Sequence, residues 1–176
     1  MNIQKFVARS LGHWRSQRSA HHLAFRHFES VESEIDILAV EPTDARVIEL
    51  CQANQVDPSQ IVSPFQMTWE GQSDWDEEEE LKGSTILVPV PNLEEPDTGR
   101  LLREQGYAET MPAVGEYHFT DDGTFVLETS YDRAAAEEKI WFVSDTLRFR
   151  VSMIKTSQGT GVVTASFSSE VRISTG

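Results

Sequence analysis

The chain has 176 residues, 39% hydrophobic and 25% charged, with a net charge of −14 at neutral pH. That length supports one good-sized core, and no stretch reaches the roughly 18–20 apolar residues of a membrane-spanning helix. Residues 1–30 carry +4, residues 31–100 carry −14 and residues 101–176 carry −4, so most of the surface repels phosphate backbones and anionic lipid, which argues against a nucleic-acid partner or membrane insertion.

Met1–Arg9 lacks the apolar core and small-residue cleavage site of a secretory signal, so a cytoplasmic location is expected. The single cysteine, Cys51, forms no internal disulfide and excludes a zinc site built on paired cysteines. None of the histidines (His13, His21, His22, His27, His118) has helical metal-ligand spacing with a nearby glutamate, so no metal is expected.

In chain order, residues 2–11 read as a short helix with Ile3, Phe6, Val7 and Leu11 near one face, stopped by Gly12. Residues 43–54 read as a second, with Thr43 or Asp44 as N-cap and Val47, Ile48 and Cys51 at helical spacing. The remainder alternates at period two or is broken by turn residues. Strands are expected at 13–22, 33–41, 61–71, 82–90, 100–108, 115–119, 124–131, 137–144, 146–155 and 162–173. Turns such as Asp121-Asp122-Gly123 and Ser144-Asp145 are of hairpin length. About ten strands joined by tight turns, with two short helices, predict an all-β up-and-down barrel or a sandwich, in one domain over residues 1–176.

Alternation is clearest at 147–153, where Leu147, Phe149, Val151 and Met153 oppose Arg148, Arg150 and Ser152. Either set can be the interior one. If the apolar set packs outward, two arginines point into the barrel; if inward, they are solvated. Glu138 shares a strand face with Ile140 and Phe142, and Glu170 alternates with Ser166, Ser168 and Arg172. A carboxylate on an apolar face needs a partner, because burying it unpaired is costly. Arg148 or Arg150 can supply one. Trp69 shares a face with Phe65 and Met67, which reads first as core, whereas Trp75 sits in a polar stretch beside the acidic run Asp76–Glu80, where a tryptophan covers a ligand or an interface. Cys51 reads as a small buried hydrophobe, and the acidic run as a solvated loop.

Gly12-His13-Trp14, set just before the first strand, resembles the G-x-W that opens the first strand of lipocalins. Gly12–Ser19 with His21-His22-Leu23, Met67–Gly71 with Trp75, Glu138–Phe142, Leu147–Ser152 and Ser169–Ile173 resemble, in that order, the CpcS/CpeS phycobiliprotein lyases nearly end to end. The resemblance implies a lipocalin-like barrel of about ten strands that binds a phycobilin non-covalently, phycocyanobilin by default, as bound substrate with no permanent cofactor. It further implies thioether attachment of that pigment to a cysteine of an apo-phycobiliprotein subunit. The implied site residues are Glu138, Glu170, Trp75 and Ser152 for transfer, and Arg18, Met67, Trp69, Arg148 and Arg150 for pigment binding.

Tryptophan and methionine suit the conjugated face of a bilin, guanidinium groups suit its propionates, and a buried carboxylate suits its row of pyrrole N–H groups. A non-enzymatic bilin carrier and an assembly chaperone for phycobiliprotein subunits are the rival readings, and a fatty-acid carrier would need a uniformly apolar cavity. Whether the chain acts alone, as a homodimer or with a related lyase subunit is left open by the residues.

Overall fold

The structure is a computed structural model that describes residues 1–74, 80–104, 114–131, 134–156 and 161–173. Ten antiparallel strands close into a barrel: β1 (Gly12–His22), β2 (His27–Ala39), β3 (Phe65–Ser73), β4 (Glu80–Pro91), β5 (Thr98–Arg103), β6 (Gly115–Phe119), β7 (Phe125–Ser130), β8 (Ala134–Phe142), β9 (Leu147–Thr156) and β10 (Val162–Arg172). Each strand pairs with its neighbours in sequence, and β1 pairs with β10 to close the cylinder. Closure leaves no sheet edge to pair with another chain. The expected strand order is therefore observed. The main boundary shift is β2, which begins at His27 rather than at residue 33 because it pairs with β1 along its whole length, from Gly12↔Ile37 to His22↔His27.

Helix α1 (Ile3–Ser10) plugs one end. Asn2 caps it by accepting from the Lys5 amide, and Ile3, Phe6, Val7 and Ser10 are buried. Phe6 stacks on Phe125 at 4.4 Å and meets Phe119 and Phe142 edge-on. Trp14 is fully buried and donates its indole N–H to the Ser10 carbonyl, tying the plug to the first strand. Arg172, from β10, donates to the Arg9 and Leu11 carbonyls at the helix C-terminus, where a cation also complements the helix dipole. Gly12 has φ +121°, and a Cβ there would meet the Arg172 guanidinium. It therefore turns the chain from plug to barrel in a conformation that only glycine adopts freely.

Helix α2 (Ala45–Ala53) lies outside the barrel. Its Val47, Leu50 and Cys51, with Val56 and Ile61, pack on the outward residues Ile86, Val88 and Val90 of β4 and Leu102 of β5. Burial on both faces explains why β4 reads as an unbroken apolar run instead of an alternation. A 3-10 turn at Pro58–Gln60 follows α2.

The face question at 147–153 is decided by geometry. Arg148 is 1% exposed, and Arg150 and Ser152 line an interior cavity. Phe149, by contrast, lies on the outer surface, where it meets Trp141 edge-on at 5.7 Å and Phe167 at a tilt at 5.3 Å. The barrel thus carries its charges inside and an aromatic ladder outside on β8–β10.

Candidate functional site

The register arranges the inward side chains of β1, β10, β9 and β8 in rows. Nearest the plug, Ser16, Glu170, Arg148 and Phe142 are successive neighbours; next come Arg18, Ser168, Arg150 and Ile140; above them lie Ala20, Ser166, Ser152 and Glu138. Directly paired residues in such rows have Cβ atoms about 4.5–5.5 Å apart. Five of the nine residues expected at the site are therefore brought together by two strands and one flanking neighbour. Arg18 arrives from the opposite terminus by the β1–β10 closure.

Glu170 is the hinge of the cluster. One carboxylate oxygen meets Arg148 Nε at 2.5 Å and the other lies 3.1 Å from Arg150 Nε, while Arg150 Nη1 donates to Glu138 at 2.8 Å. Burial would push the Glu170 carboxyl up, but Arg150 and Arg148 outweigh it and hold it below the usual carboxylate range. Burial draws Arg148 down to about 10, against the pull of Glu170, so it remains a cation at neutral pH. Burial is also overcome at Arg150, which Glu170 and Glu138 raise. The Arg148 guanidinium lies 4.5 Å from the Trp14 ring centroid, an aromatic face that stabilises a buried cation.

Above this network is a cavity of about 300 Å³ lined on one side by Arg18, Glu138, Arg150, Ser152, Ser166, Ser168 and Glu170, and on the other by Val31, Ile35, Met67, Trp69 and Leu81. One wall is polar and the other mainly apolar, interrupted by Ser33. Arg148 lines a second space below it, of about 80 Å³ and almost wholly apolar, between the network and the α1 plug. Arg148 therefore supports the upper cavity from beneath, while Arg18 and Arg150 border it directly. Two buried arginine nitrogens, Arg18 Nε and Arg148 Nη2, have no hydrogen-bond partner among the described residues, while Arg150 Nε is met only by the Glu170 carboxylate. Buried donors left unmatched are costly, so a site that presents two is built for acceptors from elsewhere.

Met67 and Trp69 both face inward. Trp69 pairs with Ile35 and Gly83 across the sheet, and a Cβ at residue 83 would lie 2.3 Å from the indole. Gly83 is thus the seat on which Trp69 lies. A lone glycine inside an expected strand was its one visible signal. The lining serines 16, 33 and 168 were not singled out from sequence, since small polar residues at the right parity look like any solvated strand face. Trp75, expected to cover a ligand or an interface, and most of the acidic run, 76–79, lie outside the described residues. Cys51 is fully buried under α2 on the outer surface of the barrel, and burial raises its thiol. No group of three metal-ligating side chains occurs among the described residues, and no described helix is long and apolar enough to cross a membrane.

Comparisons with known proteins agree with this architecture. The model of a family described as CpeS-like protein matches residues 2–173. Chromophore lyase CpcS/CpeS 3 of Trichodesmium erythraeum is 61% identical over 172 residues, 98% of this chain and 99% of that protein. A Microchaete diplosiphon protein that carries the name of a candidate phycoerythrobilin lyase CpeS is 60% identical over 89% of this chain and 71% of its own length. A phycocyanobilin lyase subunit CpcS of Picosynechococcus sp. is 40% identical over 99% and 87%. Among solved structures, the S-type phycobiliprotein lyase CPES of Guillardia theta superposes with a TM-score of 0.89 at 48% identity, covering all of this chain and 95% of that one. A plugged ten-stranded barrel with an arginine–glutamate floor, matched by that family from residue 2 to residue 173, makes this chain a member of the CpeS-like family.

Proposed function

We propose that the protein is a phycobilin lyase that holds a linear tetrapyrrole in the upper cavity and presents it to a cysteine of an apo-phycobiliprotein subunit. The observation that carries the reading is the unmatched Arg18 Nε beside the Arg150 guanidinium, on the polar wall of a cavity whose opposite wall is mainly apolar. A bilin pairs a long conjugated face with two propionates and a row of N–H groups, so it satisfies both walls at once. Arg18 and Arg150 pair with the propionates, Met67 and Trp69 cover the face, and Glu138 accepts from pyrrole N–H groups with Ser152 beside it. Arg148 acts through Glu170, holding that carboxylate in place.

In the reaction, the acceptor thiolate attacks the exocyclic ethylidene carbon of ring A. The sulfur–carbon bond forms, the carbon–carbon double bond opens, and its electron pair takes a proton on the adjoining ring carbon, so no oxidant or reductant enters. A carboxylate beside the pyrrole nitrogens favours the protonated pigment and draws electron density from the ethylidene. The larger contribution is positioning, which replaces a random encounter by an oriented one. The cavity of about 300 Å³ is at the lower end of small-molecule sites, which fits a pigment held at one end while ring A stands near the mouth.

For the pigment itself, the relative named for phycoerythrobilin is 60% identical and the one named for phycocyanobilin 40%. That gradient favours phycoerythrobilin over the phycocyanobilin expected from sequence alone. The test mixes the protein with each pigment and an apo-subunit, then reads zinc-enhanced bilin fluorescence on a denaturing gel. A lyase yields a covalent band with one pigment preferred; a carrier shifts the pigment spectrum and yields no band.

A further inference from the structure

The barrel interior does not end at the arginine–glutamate floor. The chamber of about 80 Å³ between that floor and the plug is walled by Ile3 and Phe6 of α1 and by Ile37, Phe65, Leu101 and Leu127 of the strands. Met67, Glu138 and Arg150 line both this chamber and the cavity above it, so the two spaces share a border at the Arg150–Glu138 pair. The chamber has several times the space that a water molecule needs, about 10–15 Å³, yet it offers water little. Ser10 donates its hydroxyl to the Phe6 carbonyl, Arg150 and Glu138 bind each other at 2.8 Å, and Arg148 Nη2 has no partner among the described residues. An ordered water needs two to four polar partners. The chamber therefore suits an apolar group accompanied by one hydrogen-bond acceptor.

The two ends of the barrel differ in kind. At the end away from α1, Glu29 lies 2.8 Å from His22 Nε2 and accepts from Ser73 Oγ at 2.6 Å. Burial works against that carboxylate, but Ser73, His22 and Arg18 together keep it ionised. An apolar substituent at that end would lie against charge. Beside α1 it is removed from water among aliphatic and aromatic side chains, which is where its transfer free energy is gained.

We infer that the chamber beneath the floor is a specificity pocket that takes the alkyl group on ring D, the pigment ring farthest from the reacting ring A. The inference rests on the lyase reading above. In a linear tetrapyrrole the rings run A, B, C, D, and the propionates hang from B and C. With ring A toward the acceptor cysteine and the propionates on Arg18 and Arg150, ring D falls on the plug side of that row. Its short alkyl group is the apolar group that the chamber suits, and its lactam carbonyl is the single acceptor. The cavity of about 300 Å³ is small for a whole pigment, and the chamber adds depth at the end where ring D lies. Leu101 and Leu127 line the chamber and not the cavity above it, so they set its size without touching the propionate-binding row.

Affinity is read by spectral titration of phycocyanobilin, whose ring D carries an ethyl group, and of two analogues with hydrogen or tert-butyl in its place. One or two carbons in an apolar pocket are worth on the order of ten-fold. The wild type should therefore bind the ethyl pigment about ten-fold more tightly than the hydrogen analogue, and the tert-butyl analogue less tightly than the ethyl one. Leu101→Phe fills the chamber and should bring the ethyl-to-hydrogen ratio to within about two-fold, while the hydrogen analogue binds as it does to the wild type. Leu127→Ala enlarges the chamber and should raise tert-butyl relative to ethyl by about five-fold or more. This second variant decides the matter if Leu101→Phe does not fold. A wild type indifferent to the substituent, or a ratio that either folded variant leaves unchanged, overturns the pocket. If the wild type shifts no pigment's spectrum, the lyase reading fails first; if it binds all three pigments equally, only this inference falls.

Discussion

Glu170 is 1% exposed and holds a guanidinium on each oxygen. Removing one partner of such a buried pair costs about 3–5 kcal/mol, because the remaining charge is left without compensation. Glu170→Leu should therefore lower unfolding free energy by about that much in a denaturant titration. Arg148→Met combined with Glu170→Leu should recover part of it, since an apolar pair of similar volume replaces a costly ionic one. A double variant no more stable than the single one would mean that the Arg150 contact carries the stability. Cys51 is the opposite case. Fully buried outside the barrel, with a thiol raised by burial, it is far from any pigment, and Cys51→Ser should leave the covalent band in the gel assay unchanged.

Strands β3 and β4 set the apolar wall through one close approach. The Trp69 indole occupies the space where a residue-83 side chain would stand. Gly83→Val should force the indole out of its seat at an overpacking cost of about 1–3 kcal/mol, with far-UV circular dichroism unchanged and pigment affinity reduced on the order of ten-fold. Unchanged affinity would show that Trp69 is core rather than wall. At the other end, α1 joins the barrel through Phe6, the Trp14 indole and Arg172. Its amphipathic spacing was readable, because an eight-residue helix with one apolar face has few places to bury it. What that face met was not readable, because the end of the barrel is assembled from β1, β6, β7 and β8.

Across the whole molecule the carboxylates Glu170 and Glu29 share one sign of perturbation, each held below its ordinary value once burial and pairing are balanced. A carboxyl whose folded pKa is depressed contributes stability above the unfolded value, about 4.3, and loses it as pH falls through the folded value. Melting temperature should therefore be flat from about pH 8 to 6 and fall steeply below about pH 4.5. Glu170→Gln should remove much of that slope. A wild-type curve without an acid limb would contradict the paired state of both groups.

The number of strands, their order and the presence of both helices follow from local rules that a single sequence carries: period-two alternation, turn residues at hairpin spacing and N-caps before apolar faces. The identities of the floor residues were also legible, since Arg148, Arg150, Glu138 and Glu170 stand out as charges in strands. Whether those charges faced water or the interior was not. Alternation divides a strand into two faces without saying which is inside, and the answer came only when β1 paired with β10 and closed the cylinder with the arginines within it. The same closure set Arg18 beside Ser168 and Arg150, and the β1–β2 hairpin set His22 against Glu29. These partnerships depend on strand register, and only the folded sheet determines register.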